Sequence, residues 1–318
     1  MGLQIRLYLL LGLMLAVLYA IIIGVGNLLG IGSLLSYGLL ALAMIVLQFL
    51  VGPAIVTWSM KVKEVSEAQE PELHRMVAEL AAGAGIPKPK VCVSELKIQN
   101  AFAYGHFAKD ARICVTRGLM NLLSQDELKA VIGHELTHVK NNDVAFITLL
   151  SVLPMICYYL AFNLMFSGGR SKSGGSLAMV GLGLMALYFI TNLMVLYGSR
   201  IREYYADRGS VKLNNQPSYL ANALYKLSLA SGKLSKEDKQ RVQGAKAFFI
   251  SDPVSSLYTV QTLKELDSNH NGIIDAEDMG ELNGKNIHLG FGENLKEFFG
   301  THPNMLKRIK ALSSYSAD

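Results

Sequence analysis

The sequence predicts a mostly α-helical integral membrane protein, with four transmembrane helices and a polar α+β domain that contains a small antiparallel sheet. Of its 318 residues, 51% are hydrophobic and the mean hydropathy is +0.30, which is too apolar for an ordinary soluble protein. The apolar residues are also concentrated along the chain. No Asp, Glu, Lys or Arg occurs from Tyr8 to Met60, from Val144 to Gly169 or from Ser173 to Ser199.

These uncharged stretches are long enough for four membrane crossings, because about 20 apolar residues span a bilayer. A glycine-rich turn between Gly24 and Ser33 divides the first stretch into two spans. The predicted transmembrane helices are residues 7–26, 34–56, 144–166 and 177–198.

The positions of Lys and Arg predict which side of the membrane each segment occupies. The loop between the third and fourth spans carries only Arg170 and Lys172. The other side is basic, and its residues are Arg6, Lys61, Lys63, Arg117, Lys129, Lys140, Arg200, Arg202 and Arg208. We therefore expect a multi-pass protein of the cell (inner) membrane, with the polar domain and both termini in the cytoplasm. The net charge of +5 suits the lipid bilayer as a partner, and no basic patch interleaved with aromatics indicates nucleic acid.

The segment that organises the polar domain reads H-E-x-x-H and lies in a predicted helix. Ser124 and Glu127 form a capping box that opens this helix. Residues four apart share one side of a helix, so His134 and His138 present two imidazoles together. Such a pair can bind one Zn²⁺, and Glu135 can reach a water beside the metal. The alternative is a surface helix with two solvated histidines.

Short extended segments before this helix predict the small antiparallel sheet. They are Val91–Val93, Ala101–Tyr104 and Arg112–Thr116. The residues Asn100, Ala101, Phe102 and Ala103 form the candidate edge strand. A peptide substrate laid along this edge gains backbone hydrogen bonds whatever its sequence and is held beside the metal. The alternative is a hairpin strand with its amide groups in water.

A catalytic zinc takes three protein ligands and keeps one open position, so the two histidines need a third partner. Glu203 is the best candidate, because the second membrane hairpin returns the chain to the side where the H-E-x-x-H helix lies. Asp207 is four residues further on the same helix face and can hydrogen-bond a ligand imidazole. The alternative is that both acids pair with Arg202 and Arg208 on a solvated helix.

The chain resembles the HtpX family of membrane zinc metalloproteases, which is related to the CAAX prenyl proteases. The resemblance is carried by Asn100-Ala101-Phe102-Ala103, His134-Glu135-Leu136-Thr137-His138, Arg202-Glu203-Tyr204-Tyr205-Ala206-Asp207 and Thr301-His302-Pro303. It covers most of the chain, except about 255–299. It implies a zincin-like catalytic domain in which His134, His138 and Glu203 bind zinc and Glu135 acts as the base.

The same resemblance implies roles beyond the metal ligands. His302 would lie near the metal and stabilise the tetrahedral oxyanion, although a histidine at the start of a helix is more often structural. Substrates would be damaged or misassembled membrane proteins, cleaved at the cytoplasmic face and often under stress. A CAAX-type peptidase that trims prenylated tails is the alternative enzyme. A membrane scaffold or calcium sensor with a degenerate site is the non-enzymatic alternative.

Residues 267–278 depart from the family and follow the pattern of a calcium-binding loop. Gly272 supplies the turn, and oxygen-bearing side chains stand at the ligand positions. These residues are Asp267, Asn269, Asn271, Asp275 and Asp278. The last position holds Asp rather than Glu, whose longer side chain reaches better for bidentate contact, so we expect weaker affinity. The alternative is a polar turn rich in Asp and Asn.

The predicted domains follow the order of the chain. They are a transmembrane hairpin at 1–56, the first part of the catalytic domain at 57–143, a second hairpin at 144–198, the second part of the catalytic domain at 199–254 and 300–318, and an insertion with the calcium-type loop at 255–299.

Overall fold

A computed structural model describes residues 34–167, 174–232, 266–269, 271–284 and 289–315. By its contacts, the chain divides into two compact units. The first unit consists of residues 1–51 and 145–199, and the second of residues 52–144 and 200–318. The first predicted span, 7–26, lies outside the described residues.

Helices and strands are mixed as far as Thr116, and the described residues after it form only helices and connecting segments. In chain order they are α1 (Leu34–Ser59), β1 (Val62–Glu64), α2 (Pro71–Ala84), β2 (Lys90–Ser94), β3 (Ala101–Tyr104), β4 (Arg112–Thr116), α3 (Arg117–Met120), α4 (Gln125–Lys140), α5 (Asp143–Ser167), α6 (Gly174–Lys212), α7 (Pro217–Gly232), α8 (Ala276–Gly284), α9 (Phe291–Phe298) and α10 (Met305–Ser313).

Two described helices have the length and apolar composition of a membrane span. They are the stretches Asp143–Phe162 and Leu177–Lys212, which match the third and fourth predicted spans. Only 38% and 22% of their apolar windows are buried within the protein, whereas a soluble core helix is mostly covered. The second predicted span, 34–56, falls on the helix α1. Two of the four predicted spans thus meet the requirements of a membrane helix.

Within the first unit, α5 and α6 contribute to one buried apolar cluster. Its members are Leu150, Leu153, Cys157, Ala161, Leu164, Leu184 and Val195. The side chains that remain exposed on these helices include Met179, Phe189 and Ile190, which are apolar as well. Helices that are apolar inside and outside are typical of membrane spans.

The second unit contains a four-stranded mixed sheet with the strand order β1-β2-β4-β3. β1 pairs with β2, and β3 with β4, in antiparallel orientation, whereas β2 and β4 are parallel. The prediction of an antiparallel sheet is therefore wrong for the central pair, and β1 is absent from the prediction. The reason is the order in which the strands are added. After β2 the chain first forms β3, and then returns to form β4 between β2 and β3. β3 lies at the edge of the sheet.

Helix α4 begins at the predicted capping box. The Ser124 hydroxyl accepts the Glu127 N–H at 3.3 Å, and the Glu127 carboxylate accepts the Ser124 N–H at 2.8 Å. The Glu127 side chain is buried and also lies 2.7 Å from the Lys226 ammonium group on α7. The cap that starts α4 therefore fastens this helix to α7 as well. Around it, α2, α7 and α10 complete an apolar core with the sheet.

Candidate metal centre

The two histidines of the H-E-x-x-H segment face each other on the buried side of α4. The Nε2 atoms of His134 and His138 are 3.2 Å apart, and the ring planes are at 87°. His134 is 1% exposed, and the His138 side chain is 17% exposed. The alternative of two solvated histidines on a surface helix is therefore wrong.

Glu203 supplies a third donor group, from the part of α6 that follows the uncharged stretch. Its Oε2 atom lies 3.6 Å from His134 Nε2, and its Oε1 atom lies 3.5 Å from His138 Nε2. Within the described part of the chain, these are the only three His, Cys, Asp or Glu side chains close enough to share a metal ion. The three predicted zinc ligands thus lie together.

A buried carboxylate and a buried arginine stand behind His134. The Oδ1 atom of Asp207 lies 2.9 Å from His134 Nδ1. The Arg308 guanidinium on α10 donates to both Asp207 oxygens, at 2.6 and 2.9 Å. Its third nitrogen lies 3.1 Å from Glu203 Oε2. All three charged partners are buried, so the alternative in which Glu203 and Asp207 pair on a solvated helix is wrong.

A second carboxylate and arginine stand behind His138, and sequence reasoning missed both roles. The Asp143 carboxylate, at the first residue of α5, contacts His138 Nδ1 through one oxygen and Arg202 through the other. Arg202 is 5% exposed. The sequence signal for the role of Asp143 was its position, five residues after His138. Asn142, which lies between them, has a positive φ of 53°.

The Asp207 and Asp143 carboxylates beside the two Nδ1 atoms favour a proton on Nδ1 of each imidazole. A neutral imidazole that donates from Nδ1 to a carboxylate has only a lone pair at Nε2. His134 and His138 therefore direct two lone pairs at each other, which repel unless a cation lies between them. In a tetrahedral site with ligand bonds of about 2.0–2.1 Å, ligand atoms are about 3.3 Å apart. The 3.2 Å between the two Nε2 atoms fits this arrangement, and each imidazole also has one Glu203 oxygen within 3.6 Å.

The charged neighbours also shift the pKa values of the buried acids. Burial alone would raise the pKa of Glu203, but His302, Arg308 and the two imidazoles lower it well below its usual value. Burial likewise opposes ionisation of Asp207, whose pKa is nevertheless lowered by Arg308 and His134. Both carboxyl groups are therefore ionised at neutral pH. Their negative charge favours a cation at the point where the donors converge.

Glu135 lies between the metal ligands and the sheet. It is 5% exposed, and its Oε2 atom accepts the Ala103 N–H at 2.9 Å. Burial raises the pKa of Glu135 above its usual value, against the opposing effect of the two imidazoles. The carboxyl group is thus held beside the edge strand by a backbone hydrogen bond.

The edge strand β3 presents part of its backbone away from the sheet. Asn100 is buried, donates its N–H to the Thr116 hydroxyl and accepts the Thr116 N–H at 3.0 Å. In an antiparallel pair, bonded and non-bonded residues alternate. The backbone of Phe102 therefore also bonds β4, whereas the N–H and C=O groups of Ala101 and Ala103 point away from β4, on the side where Glu135 lies.

A surface groove adjoins this strand and the carboxyl end of α4. It is lined by Ala103, Tyr104, Gly105, His106, Phe107, Ala111, His138, Val139, Asn142, Asp143 and Val144. His138 thus has one face towards the groove.

His302 lies in the turn between α9 and α10. Its Nε2 atom is 3.9 Å from Glu203 Oε1, and its Nδ1 atom is 3.0 Å from the Thr301 hydroxyl. The His302 side chain is 8% exposed. The structure therefore brings this residue next to the three donors, as the resemblance implied.

Two glycines allow the helices that carry the donors to approach closely. A Cβ atom at Gly209 on α6 would lie 2.3 Å from the Thr137 side chain on α4. A Cβ atom at Gly133 on α4 would lie 2.9 Å from the Ser210 hydroxyl, which donates to the Ala130 carbonyl at 2.6 Å. Any larger residue would separate α4 from α6. The distance from the imidazoles to Glu203 therefore depends on these glycines.

The calcium-type loop does not form a comparable site. Asp267 accepts the N–H groups of Asn271 and Gly272, at 3.0 and 2.8 Å. Asp278 accepts the Ser268 N–H through one oxygen and the Asp275 N–H through the other. The side chains of Asn269 and Asn271 lie 3.3 and 3.0 Å from an Asp275 oxygen.

These loop oxygens are engaged by the loop itself, and its three carboxylates do not converge. Calcium binding at residues 267–278 is therefore not supported. Ile274, Met279 and Leu282 instead anchor the loop in the apolar core.

Comparison with known proteins agrees with the metal centre. The profile of peptidase family M48 matches residues 67–316. The protease HtpX homologue of Methanothermobacter thermautotrophicus is 48% identical over 227 residues, which are 71% of this chain and 86% of that protein. The protease HtpX homologue 2 of Methanosarcina mazei is 34% identical over 269 residues, which are 83% and 79% of the two chains.

Among solved structures, Ste24p of S. mikatae shares 18% sequence identity at a TM-score of 0.49. The match covers 93% of this chain and 62% of that one. The profile match covers most of the chain and the HtpX homologues match along most of their own length, so the chain belongs to peptidase family M48, as a metalloprotease of the HtpX type.

Proposed function

We propose that the chain is a zinc-dependent endopeptidase that cleaves membrane proteins at the cytoplasmic face of the cell membrane. His134, His138 and Glu203 hold the zinc ion. The observation that carries this proposal is the convergence of two imidazole Nε2 atoms and an ionised carboxylate, with separations of 3.2 to 3.6 Å. Glu135 and the sheet edge lie directly beside that point.

The reaction is hydrolysis of a peptide bond. Bound zinc would supply Lewis-acid polarisation of the scissile carbonyl and of the attacking water. Glu135 accepts a proton from that water and then delivers it to the leaving amine. His302 donates a hydrogen bond to the carbonyl oxygen as negative charge develops there. Its position 3.9 Å from Glu203 supports this role.

The substrate binds as an additional strand along β3. The Ala103 C=O faces away from β4 and would pair with the substrate, whereas the Ala103 N–H already bonds Glu135 and Ala101 is fully buried. Asn100 and Phe102 hold the strand to β4. Hydrogen bonds of this kind accept any peptide sequence. The Ala103 N–H that bonds Glu135 would place the scissile bond next to the proposed base.

Two carboxylates position the ligand imidazoles. Asp207 holds His134, and Asp143 holds His138, each through Nδ1. Such partners fix the tautomer and raise the basicity of the metal-bound nitrogen. Asp207 and Asp143 are therefore positioning residues rather than catalytic ones.

The proposed location is a multi-pass membrane protein with both termini and the catalytic domain in the cytoplasm. The excess of Lys and Arg on that side of the predicted spans supports this orientation. The proposed substrates are damaged or misassembled membrane proteins, and the proposed setting is quality control under stress. The relatives named protease HtpX homologue support a peptide or protein substrate.

The test uses the full chain in lipid vesicles with a membrane-anchored peptide substrate. Glu135→Gln should keep the zinc content of the wild type and lose cleavage, whereas His134→Ala should lose both. Glu72→Gln is the matched control, because Glu72 is an exposed residue on α2 outside the site. Wild-type cleavage by Glu135→Gln would show that the base is another residue.

A second pair of substrates distinguishes the proposed endopeptidase from the CAAX-type alternative. A farnesylated peptide and the same peptide without the lipid are offered at equal concentration. Cleavage of both supports an endopeptidase, and cleavage of the farnesylated peptide alone would support the prenyl-protein peptidase.

A further inference from the structure

Helix α9 carries a row of large apolar side chains on its surface. Phe291, Leu295, Phe298 and the adjoining Phe299 are 84%, 47%, 48% and 49% exposed. Offsets of zero, four, seven and eight residues place these side chains on one face of the helix. No residue of α9 is buried. A contiguous apolar face of this kind marks an interaction surface.

Arg200, which lies on α6, holds the carboxyl end of α9 through three hydrogen bonds. Its Nη1 atom donates to the carbonyl oxygens of Glu297, Phe298 and Gly300, at 3.0, 3.0 and 2.9 Å. Arg200 is also the first charged residue after the uncharged stretch that ends at Ser199. The first arginine beyond a membrane span lies at the level of the lipid headgroups. The carboxyl end of α9 is therefore held at that level.

The polar side of α9 is largely neutralised by its own ion pairs. Lys296 lies 3.2 Å from Glu293, and its side chain is 64% exposed. Glu297 pairs with Lys307 on α10. The helix therefore has one apolar face and one charged face, and it carries no excess of positive charge. This composition suits the interface of a zwitterionic bilayer, where an apolar face is buried without a need for anionic lipid.

We propose that α9 lies in the plane of the membrane interface, with Phe291, Leu295 and Phe298 inserted at the boundary between headgroups and acyl chains. This inference rests on the membrane location in the proposed function. The rival occupants of the same face are a second copy of the chain and another segment of this chain.

The experiment places a tryptophan on α9 and measures its contact with lipid. The full chain contains one tryptophan, Trp58, near the end of the second predicted span, and Trp58→Phe removes it. Phe291→Trp and Phe298→Trp are then made in that background. Lys296→Trp is the matched control on the polar side of the same helix. Each variant is reconstituted in phosphatidylcholine vesicles with and without brominated acyl chains, which quench tryptophan on contact.

The expected result is strong quenching at positions 291 and 298 and weak quenching at position 296. Equal quenching at 291 and 296 would overturn the proposal. Blue-shifted emission at 291 without bromine quenching would also overturn it, because another protein surface would then cover the face. The wild-type protein, in which Trp58 is the reporter, tests insertion separately. Quenched Trp58 with unquenched Trp at 291 removes only this inference, whereas unquenched Trp58 removes the membrane location itself.

Discussion

The two ligand imidazoles have the same kind of support, but the two supports differ in how far they are buried. Behind His134, the side chains of Asp207 and Arg308 are both 0% exposed. Behind His138, the Asp143 side chain is 11% exposed, and both residues line the groove beside β3. The Asp207–Arg308 pair is therefore fully buried, whereas in the Asp143–Arg202 pair the carboxylate reaches the wall of a groove.

This difference separates two tasks within one site. The buried pair Asp207–Arg308 can hold His134 without competition from water. The groove side has to leave space for a substrate next to its ligand. Water can replace a lost hydrogen bond at a partly exposed atom but not at a fully buried one. We therefore expect equal substitutions on the two sides to have unequal effects.

Arg308→Met should have the largest effect, because it leaves the carboxylates of Glu203 and Asp207 buried without their cation. Breaking a buried ion pair in this way costs about 3–5 kcal/mol. Thermal unfolding of the metal-free protein should show a large fall in Tm. Arg208→Met is the matched control, since Arg208 is exposed over the Tyr315 ring and should lose less than about 1 kcal/mol. Equal losses in the two variants would show that Arg308 is not a structural support.

Asp207→Asn and Asp143→Asn test the comparison on zinc affinity. Loss of a carboxylate that orients a ligand histidine weakens metal binding about 10–100-fold. We expect Asp207→Asn near the upper end of this range, because its site is sealed. Asp143→Asn should lie near the lower end, because water can take over the bond to His138. Zinc titration against a competing chelator measures both values, and a greater loss in Asp143→Asn would reverse the comparison.

A substitution of Arg202 tests whether this residue affects zinc binding through Asp143. If it acts on the metal through Asp143, the double variant Asp143→Asn with Arg202→Met should bind zinc as Asp143→Asn does. Agreement within about 0.5 kcal/mol is the expected result of the double-mutant cycle. Additive losses would mean that Arg202 acts on the neighbouring Glu203 directly.

Asp110 gives the smallest expected effect, at the far end of the groove wall. Its carboxylate accepts the N–H groups of His106 and Phe107. Partial burial raises its pKa, but these bonds outweigh that effect, so the pKa lies below its usual 3.8. A lowered folded-state pKa stabilises the fold above the unfolded value and loses that contribution as the pH falls through the folded value.

The wild type should therefore be more stable than Asp110→Asn above pH 3.8, and this advantage should shrink on acidification below it. Tm measured from neutral pH down to about pH 3 tests this expectation. A difference in Tm that stays constant over the whole range would show that the Asp110 charge contributes nothing.

The parts of the site that the sequence predicted are those with a local pattern. The capping box at Ser124 and the spacing of His134 and His138 depend only on helix geometry, which acts over a few residues. Glu203 followed from the number of ligands that zinc requires and from the membrane hairpin. In each case the chemistry restricted the choice to few residues.

The parts that it could not predict depend on contacts between distant elements. Arg308 reaches Asp207 across 101 residues, and no local pattern marks that pairing. Likewise, the parallel register of β2 and β4 depends on where β3 is added, and short apolar strands do not encode their neighbours.

In the calcium-type loop the local pattern is present, but the structure does not support a cation site. Asp267 and Asp278 have the expected spacing, yet their oxygens accept backbone N–H groups of the loop. Acidic side chains serve equally well to close a turn and to bind a cation. In the metal centre, the carboxylates beside Nδ1 of His134 and His138 favour protons there, which leaves the Nε2 lone pairs for an ion.

Gly133 and Gly209 lie where α4 and α6 approach each other, so the spacing of the metal donors depends on two residues that carry no donor atom. A methyl group added at either position would move Glu203 relative to the imidazoles. Zinc binding can therefore be lost through helix packing alone, with every ligand residue retained.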